Sequence, residues 1–577
     1  AYPLDTRFGL SQGFDVYDDK YSRIHAVNLS SLERNAEAVI ESALEWLGGH
    51  ESPWFLWVHC WDPHSPYDPP EPFKTQYKDH LYEGEVAYVD LAVGKLFDYL
   101  EENDLSDSTL VVFTGDHGES LGQHGEETHG FFAYNSSLWI PLIISVPGTA
   151  PGRVDDDVSH IDIFPTVCDA LGIKTLSFLQ GTSLLPALRG KKLPERPIYF
   201  ESLYPYYSRG WAPLKGFIFK KKKFIDSPIP ELYDLDRDFD ELKNIIQKKE
   251  AAQLTSELDE IIRTLTPSEK VNAAQQVDRE TREKLASLGY ISSGGLPPKK
   301  DFSAQDDVKV LLPYINRIGE GWKLYKEGEQ EAGITLLRGV IDERKDIDLA
   351  YKQLASIYQE KGNPGEAIVI LEQGLNALPS SYEIYIEYMK ALISTQQYEK
   401  IISSFKNTNL REAEYDPEIW NNLGTAHAKT GNFDEAIKAF ETGLSLDNKH
   451  PELYNNLANA CYSLGLQSKV TSIYFRCFEY YKKAIELDPK YAAPYYGLGH
   501  AYRQQGNMEG AIYCWEKALE ADPAFSQASI DLALAYLNTG NKTKAFDLLS
   551  EFRKRYSDRL SPADREKLDA LIEQCRK

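Results

Sequence analysis

Two hydrophobic patterns divide the chain. In the first part, short apolar runs alternate with helical patterns and with turns rich in Pro and Gly, which is typical of an α/β domain. Continuous apolar runs over 54–59, 109–114, 138–146 and 197–201 predict strands that are buried on both faces. Residues 215–235 predict a basic hairpin. The first part is therefore expected to form a mixed sheet with helices on both faces.

Two helices are predicted between or before these strands. Apolar residues recur at helical spacing from Val86 to Leu100 and predict an amphipathic crossover helix. An earlier helix is predicted to start near Ser30, where Ser30 and Glu33 can form a capping box, and to end at Gly48.

The second part is a repeat. A landmark residue, small in all positions but one, recurs every 34 residues, with single intervals of 35 and 41. The landmarks are Gly321, Ala355, Met389, Gly424, Ala458, Gly499 and Ala533. The small residues are expected where two helices cross closely.

These repeats resemble the tetratricopeptide family. The resemblance rests on Trp420-Asn-Asn-Leu-Gly424, Tyr454-Asn-Asn-Leu-Ala458 and Tyr495-Tyr-Gly-Leu-Gly499 at their spacing. It implies helix-turn-helix units stacked into an all-α superhelical solenoid, with a groove for a protein or peptide partner. The 41-residue interval adds about two helical turns, so it predicts a longer helix there.

The domain boundaries follow from these patterns. An α/β domain is predicted over 1–265, a linker over 266–305, and about seven repeats over 306–577. The linker includes a stretch rich in Ser, Gly, Pro and Lys from residue 292 to 300.

Charge and composition exclude several classes of function. The 577 residues carry a net charge of -25, which disfavours nucleic-acid binding and docking on an anionic membrane. No apolar run approaches the length of a membrane span. Six cysteines in so long a chain do not indicate a disulfide framework, so free thiols are expected.

The candidate chemistry lies where the predicted strands end. One strand runs into Asp116 and His117, which places a carboxylate and an imidazole at the edge of a parallel sheet where α/β enzymes bind ligands. Asp oxygens suit a calcium-like cation, whereas an imidazole suits manganese or zinc better. The pair therefore has donors that suit a divalent cation.

Three stretches together resemble the sulfatase family of the alkaline-phosphatase superfamily. They run from His59 to Tyr67, from Tyr82 to Asp90, and from residue 114 to 130. The resemblance implies that Asp116 and His117 bind the metal. It also implies that His64 and His129 contact the ester, one at the developing oxyanion and one at the leaving oxygen.

The nucleophile of that family is missing from this sequence. Sulfatases carry a Cys or Ser in a Cys/Ser-x-Pro-x-Arg motif that is converted to formylglycine, whereas Cys60 is followed by Trp-Asp-Pro-His. The first metal carboxylates are missing too, since Asp5-Thr6-Arg7 lacks a preceding apolar strand. We expect an N-terminally truncated sulfatase whose nucleophile precedes Ala1, and a fragment that is inactive alone.

Other polar residues have simpler interpretations. His59 is expected to be a structural residue at a strand end, and Lys220–Lys223 a solvated hairpin edge. His124 remains open between support of a catalytic group and a loop hydrogen bond.

The sequence thus predicts a metal-dependent sulfuric ester hydrolase with a repeat module for protein interaction. A phosphodiester or phosphonate monoester hydrolase of the same superfamily is the first alternative, because the same electrostatics serve phosphoryl oxygens. A repeat scaffold with a non-catalytic sulfatase-like domain is the second. The natural substrate, the oligomeric state and the compartment stay open, although an upstream signal peptide would imply export.

Overall fold

The computed structural model divides the chain into two compact units, the first formed by described residues up to 313 and the second by those from 314 onward. It describes residues 4, 6, 9–19, 34–176, 178–266, 301–408, 410–556 and 562–576. None of the helices within these ranges combines the length and apolar character that crossing a membrane requires.

The first unit contains eight described α-helices. They are α1 (Ala36–Gly48), α2 (Phe73–Gln76), α3 (Leu81–Glu102), α4 (Asn135–Leu138), α5 (Ile163–Ala170), α6 (Leu185–Leu188), α7 (Tyr204–Arg209) and α8 (Lys248–Leu265). The side chain of Asn35 caps α1 by accepting from the amide of Ala38, whereas the predicted start near Ser30 lies outside the described residues.

The crossover helix α3 packs on α1, but its buried face is shifted from the predicted one. Tyr88 and Ala92 are buried against Ala36 and Ile40, whereas Val86 is 44% exposed. The apolar face predicted for α3 is wider than the surface that α1 covers. Val86 lies on the uncovered part of that face.

The described strands form two separate antiparallel sheets. The strands are β1 (Val111–Thr114), β2 (Leu142–Ser145), β3 (Ile198–Ser202), β4 (Leu214–Phe219), β5 (Lys222–Asp226) and β6 (Glu231–Asp234). β1 pairs with β2, and the other four follow the order β3-β4-β5-β6. The α/β class is confirmed, but the described strands do not form the single mixed sheet that we expected.

Residues 54–59 do not pair as a strand among the described residues. Their burial alternates along the segment, and Phe55 and Trp57 are 71% and 53% exposed. The apolar run correctly indicated extended backbone, but a run of residues carries no information on which partner strand would cover it.

The basic hairpin is not a solvated edge throughout. Lys220 and Lys221 form its turn at positive φ, and the alternation of the strand then turns Lys223 inward. Lys223 is fully buried and its Nζ lies 2.7 Å from Oε1 of Glu241, whose side chain is also buried. The prediction of a solvated edge is therefore wrong for Lys223.

The region predicted as a linker is described only at its end, because 267–300 lies outside the described residues. Residues 301–313 group with the first unit, although sequence placed 306–313 with the repeats. The physical reason is Asp307, a fully buried carboxylate that accepts from the amide of Ile229 and the hydroxyl of Ser227, each at 2.8 Å.

The remaining described helices form seven consecutive pairs, with a short helix after the third pair and one helix after the last. They are α9 (Val308–Lys326), α10 (Gln330–Glu343), α11 (Asp348–Glu360), α12 (Pro364–Ala377), α13 (Tyr382–Ser394), α14 (Tyr398–Asn407), α15 (Arg411–Glu414), α16 (Pro417–Lys429), α17 (Phe433–Leu446), α18 (Pro451–Ser468), α19 (Thr471–Leu487), α20 (Ala492–Gln504), α21 (Met508–Ala521), α22 (Ser526–Asn538), α23 (Lys542–Tyr556) and α24 (Pro562–Arg576). The all-helical class of this unit is confirmed.

Small residues sit where the paired helices touch. A Cβ on Gly424 would lie 2.5 Å from the ring of Phe440, and one on Gly499 would lie 2.4 Å from Nε1 of Trp515. The 41-residue interval lengthens both of its helices, so α18 and α19 have 18 and 17 residues where α16 and α17 have 13 and 14. The added turns keep Leu464 and Tyr474 buried.

Candidate active site

The loop after β1 places Asp116 and His117 side by side. Oδ1 of Asp116 accepts from the amide of His117 at 2.9 Å, and Oδ2 lies 3.7 Å from Nε2 of the imidazole. Position 118 of the loop requires glycine, because a Cβ on Gly118 would lie 2.2 Å from the carbonyl oxygen of Ser136. The amide of Gly118 donates to the carbonyl of Ser137, which fixes the turn.

This pair has the donor chemistry of half a metal site. Nδ1 of His117 lies 2.9 Å from the carbonyl oxygen of Gly118 and donates to it, which leaves Nε2 on the side of Asp116. Oδ2 and Nε2 are close enough to share one cation, and their side chains are 73% and 42% exposed. Among the described residues, no group of three or more His, Cys, Asp or Glu side chains is placed to hold a metal.

A buried glutamate shapes the loop that carries His129. Glu126 is 2% exposed, and its carboxylate accepts from the hydroxyl of Ser120 at 3.0 Å and from the amide of Phe131 at 2.6 Å. The amide of Ser120 also donates to the carbonyl of Thr128. These bonds fold the loop back, and Nδ1 of His129 then lies 3.3 Å from both carboxylate oxygens of Glu119.

A second buried glutamate holds the loop of His64. Glu85 projects from α3, is 4% exposed, and accepts from the amide of His64 at 2.9 Å and from that of Asp68 at 2.6 Å. The imidazole of His64 stacks on Trp61 with ring centroids 4.0 Å apart. Main chain and ring are thus fixed by different partners.

The structure brings all four predicted site residues together. The ring centroids of His117 and His129 are 3.9 Å apart, and those of His64 and His129 are 5.9 Å apart. Asp116 adjoins His117. The chemical result is one carboxylate and three imidazoles in a single cluster, which is an arrangement that can bind a cation and an anionic group together.

The surroundings shift the pKa of two of these imidazoles in opposite directions. Burial lowers the pKa of His64 and outweighs the hydrogen bond to the Ser65 carbonyl, while the charges of His129 and His117 add to the lowering and that of Glu119 opposes it. Burial also disfavours charge on His129, but the hydrogen bond and the charge of Glu119 outweigh it and raise the pKa.

Two other predicted residues have identifiable positions. Burial lowers the pKa of His59, against the opposing charge of Asp116. His124 stacks on Tyr134 with centroids 3.8 Å apart, and its Nε2 donates to the carbonyl of Asp240 at 3.1 Å. His124 is therefore held in a loop hydrogen bond.

Sequence reasoning missed the three supporting glutamates, Glu85, Glu119 and Glu126. Glu85 had a usable signal, since it lies three and seven residues before Tyr88 and Ala92 and so on the buried face of α3. A carboxylate on an apolar helix face requires partners. Glu119 had no such signal, because its partner is determined by how the loop closes.

Comparison with known proteins agrees with these features. The sulfatase family model matches residues 3–173, and the model described as N-sulphoglucosamine sulphohydrolase, C-terminal, matches 122–268. The first unit belongs to the sulfatase family. Tetratricopeptide-repeat models match 417–450, 492–525 and 527–559, so the second unit is a tetratricopeptide-repeat array.

The sulfatase unit has relatives of several kinds. Choline-sulfatase of Rhizobium meliloti is 33% identical over 171 residues, covering 29% of this chain and 32% of that protein. Arylsulfatase K of Bos taurus is 31% identical over 264 residues, covering 43% of this chain and 48% of that protein. The yidJ sulfatase structure from Bacteroides fragilis is 22% identical with a TM-score of 0.36, covering 41% of this chain and 59% of that one. The chain thus spans half or less of the length of these two curated relatives.

Proposed function

We propose that the protein hydrolyses sulfate esters with the help of a bound divalent cation. The observation that supports this is the cluster of Asp116, His117, His64 and His129 within a sulfatase-family unit. The proposed ligands are Asp116 and His117. Calcium is the expected cation because of the hard carboxylate, while the imidazole is also compatible with manganese or zinc.

Each residue of the cluster has a proposed task. A bound dication would neutralise the ester oxygens and keep an oxygen nucleophile ionised. His64 and His129 lie beside the ligand pair, where one imidazole can stabilise charge on the ester oxygens and the other can protonate the leaving oxygen. The closeness of the two rings supports a shared substrate.

The attacking group is proposed to come from sequence outside residues 1–577. Cys60 is the cysteine nearest in sequence to the site, but it lacks the formylglycine motif. Burial and then the charge of Asp62 raise the pKa of its thiol to about 11, so it is protonated at neutral pH and a poor nucleophile. In the complete protein the nucleophile would be a formylglycine, as in the sulfatases that this unit resembles.

The decisive experiment is a kinetic assay of the complete protein with an aryl sulfate and an aryl phosphonate. His129→Ala should lower turnover of the aryl sulfate by about 100-fold or more, because a group that stabilises charge in the transition state is removed. His80→Ala is the matched control, since that side chain is 72% exposed on the surface of the sulfatase unit. Unchanged kinetics in His129→Ala would remove His129 from the mechanism.

The same assay separates the alternatives. Faster turnover of the phosphonate than of the sulfate would make the protein a phosphonate monoester hydrolase instead. No turnover of either ester by the metal-loaded complete protein, together with binding of a protein partner, would support a scaffold with a non-catalytic sulfatase-like unit. The repeat array is of a protein-interaction type, and we propose that it takes a peptide or partner domain in its groove.

A further inference from the structure

We propose that Glu119 is the positioning residue for His129, which it orients through the ring Nδ1. This inference rests on the proposed function, because it assigns a supporting role within the same site. Both carboxylate oxygens of Glu119 lie 3.3 Å from Nδ1, so the ring is held by a forked contact and not by a single atom.

The setting of Glu119 favours this role. Its side chain is only 5% exposed, and a buried carboxylate requires a partner that compensates its charge. The structure provides His129 as its ion-pair partner. The rings of Tyr67 and Tyr82 contact each other edge to face, and burial together with the charge of Glu119 raises the pKa of both phenols.

The contact determines which nitrogen is available to a substrate. Nδ1 and Nε2 lie on different edges of the imidazole, so a ring bound at Nδ1 has Nε2 left for other partners. Without Glu119, the ring could turn about its Cβ–Cγ bond and exchange the two nitrogens. Glu119 would then act on the rate through His129 and not through the ester.

Glu126 shows that loop folding and ring orientation are separate tasks. Glu126 accepts from the main-chain amides of Phe131 and Phe132 and from a serine hydroxyl, so it shapes the backbone of the loop. Glu119 contacts the ring itself. Substitution of Glu119 is therefore expected to affect the imidazole while the loop keeps its fold.

The kinetic test uses the complete protein and a double-mutant cycle. Glu119→Ala should lower kcat for an aryl sulfate by about 10- to 100-fold, the range usual for residues that support a catalytic group. Glu119→Gln should fall between this variant and the wild type, because its amide oxygen still accepts from Nδ1. Adding Glu119→Ala to His129→Asn should cause little further loss. Additive losses would show that Glu119 acts independently of His129 and would overturn the inference.

The matched control is Glu127→Ala, which removes the same side chain from an exposed position of the same loop. A second readout does not depend on activity. In the chain of 577 residues, the ring-nitrogen NMR signals of His129, identified by their loss in His129→Asn, should shift in Glu119→Ala and not in Glu127→Ala. Unchanged signals would overturn the inference even if the complete protein hydrolysed no ester, whereas that lack of turnover would count against the proposed function alone.

Discussion

Single residues in this site depend on carboxylates that the substrate would not touch. Each of the two candidate catalytic histidines is held by a buried glutamate, but the two glutamates contact different parts of their histidines. Glu119 contacts the ring of His129, whereas Glu85 binds the main chain at His64. Sequence motifs could place the imidazoles, because their spacing follows the family pattern. The glutamates were missed because their partners are set by tertiary contacts.

The attachment of His64 gives the first prediction. Glu85→Ala would leave the amides of His64 and Asp68 without their buried acceptor, at a cost of about 1–3 kcal/mol in the free energy of unfolding for each amide left unpaired. Turnover of an aryl sulfate by the complete protein should fall by about 10- to 100-fold, since the imidazole shifts with its loop.

Glu83→Ala is the control for Glu85→Ala. Glu83 lies on the same helix two residues earlier, and its side chain is 51% exposed. Stability would be followed by hydrogen exchange over residues 64–68, and activity by steady-state kinetics. If hydrogen exchange over residues 64–68 were faster in Glu85→Ala while turnover of the ester stayed at the wild-type rate, then catalysis by His64 would not require a fixed loop.

At the level of elements, the helices were easier to predict than the strands. The repeat determines the spacing of the helices and the positions of the small residues. Each helix pair is therefore specified by its own sequence and by its contact with the neighbouring pair. The segment 54–59 has the apolar content of a strand without a described partner. Strand pairing is a property of two distant segments, and a single run of residues cannot report it.

Close helix crossing predicts the effect of adding one methyl group. Gly499→Ala would place a Cβ 2.4 Å from Nε1 of Trp515, and overpacking of this kind costs about 1–3 kcal/mol in the free energy of unfolding. Gly319→Ala is the contrasting helical position, because its Cβ would meet nothing within 4 Å. That substitution should stabilise α9 by about 0.5–1 kcal/mol.

Thermal and chemical unfolding of both variants would measure these effects. Adding Trp515→Phe to Gly499→Ala should recover part of the loss, because a smaller ring makes room for the methyl group. Equal free energies of unfolding for Gly499→Ala and Gly319→Ala would mean that the two helices can separate and admit the methyl group without loss of stability, contrary to the close packing described above.

An ion-pair cluster between α20 and α22 predicts a dependence on pH. Burial acts against the charge on Asp531, but hydrogen bonds from His500 and Tyr496 and the positive charge of Arg503 outweigh it and lower the pKa. A carboxyl with a depressed pKa in the folded state stabilises the fold above its unfolded pKa of about 4. That contribution is lost as the pH falls through the lower folded value.

Hydrogen exchange of 492–504 and 526–538 would test this dependence. Between pH 6 and 3, protection in the wild type should fall more than in Asp531→Asn, which lacks the titrating group. Exchange rates would first be corrected for their intrinsic dependence on pH. Asp547→Asn, at an exposed position of α23, should behave as the wild type does. Parallel pH profiles for Asp531→Asn and the wild type would show that the cluster contributes no linked stability.

At the scale of the whole molecule, the candidate site is assembled from segments that are far apart in the chain. α3 supplies Glu85, the loop before α2 supplies His64, and the loop after β1 supplies Asp116, His117 and, further on, His129. The sequence could identify the family from motifs, and it predicts Asp116 and His117 as a metal-ligand pair. It could not predict the contacts that Glu85 and Glu119 make with these loops, since those contacts depend on how distant segments close together.

Metal binding is the property that tests this assembly. Two donors hold a cation weakly, so the complete protein is expected to bind calcium, manganese or zinc more tightly than the chain of 577 residues does. Asp116→Asn in the complete protein should reduce affinity and turnover by more than the ~10- to 100-fold usual for a supporting residue. Calorimetric titration of chelator-treated protein would measure affinity, with Asp68→Asn as an exposed-carboxylate control. If Asp116→Asn bound each cation as tightly as the wild type, Asp116 could not be a ligand, and the imidazoles beside it would have to bind the ester without the cation.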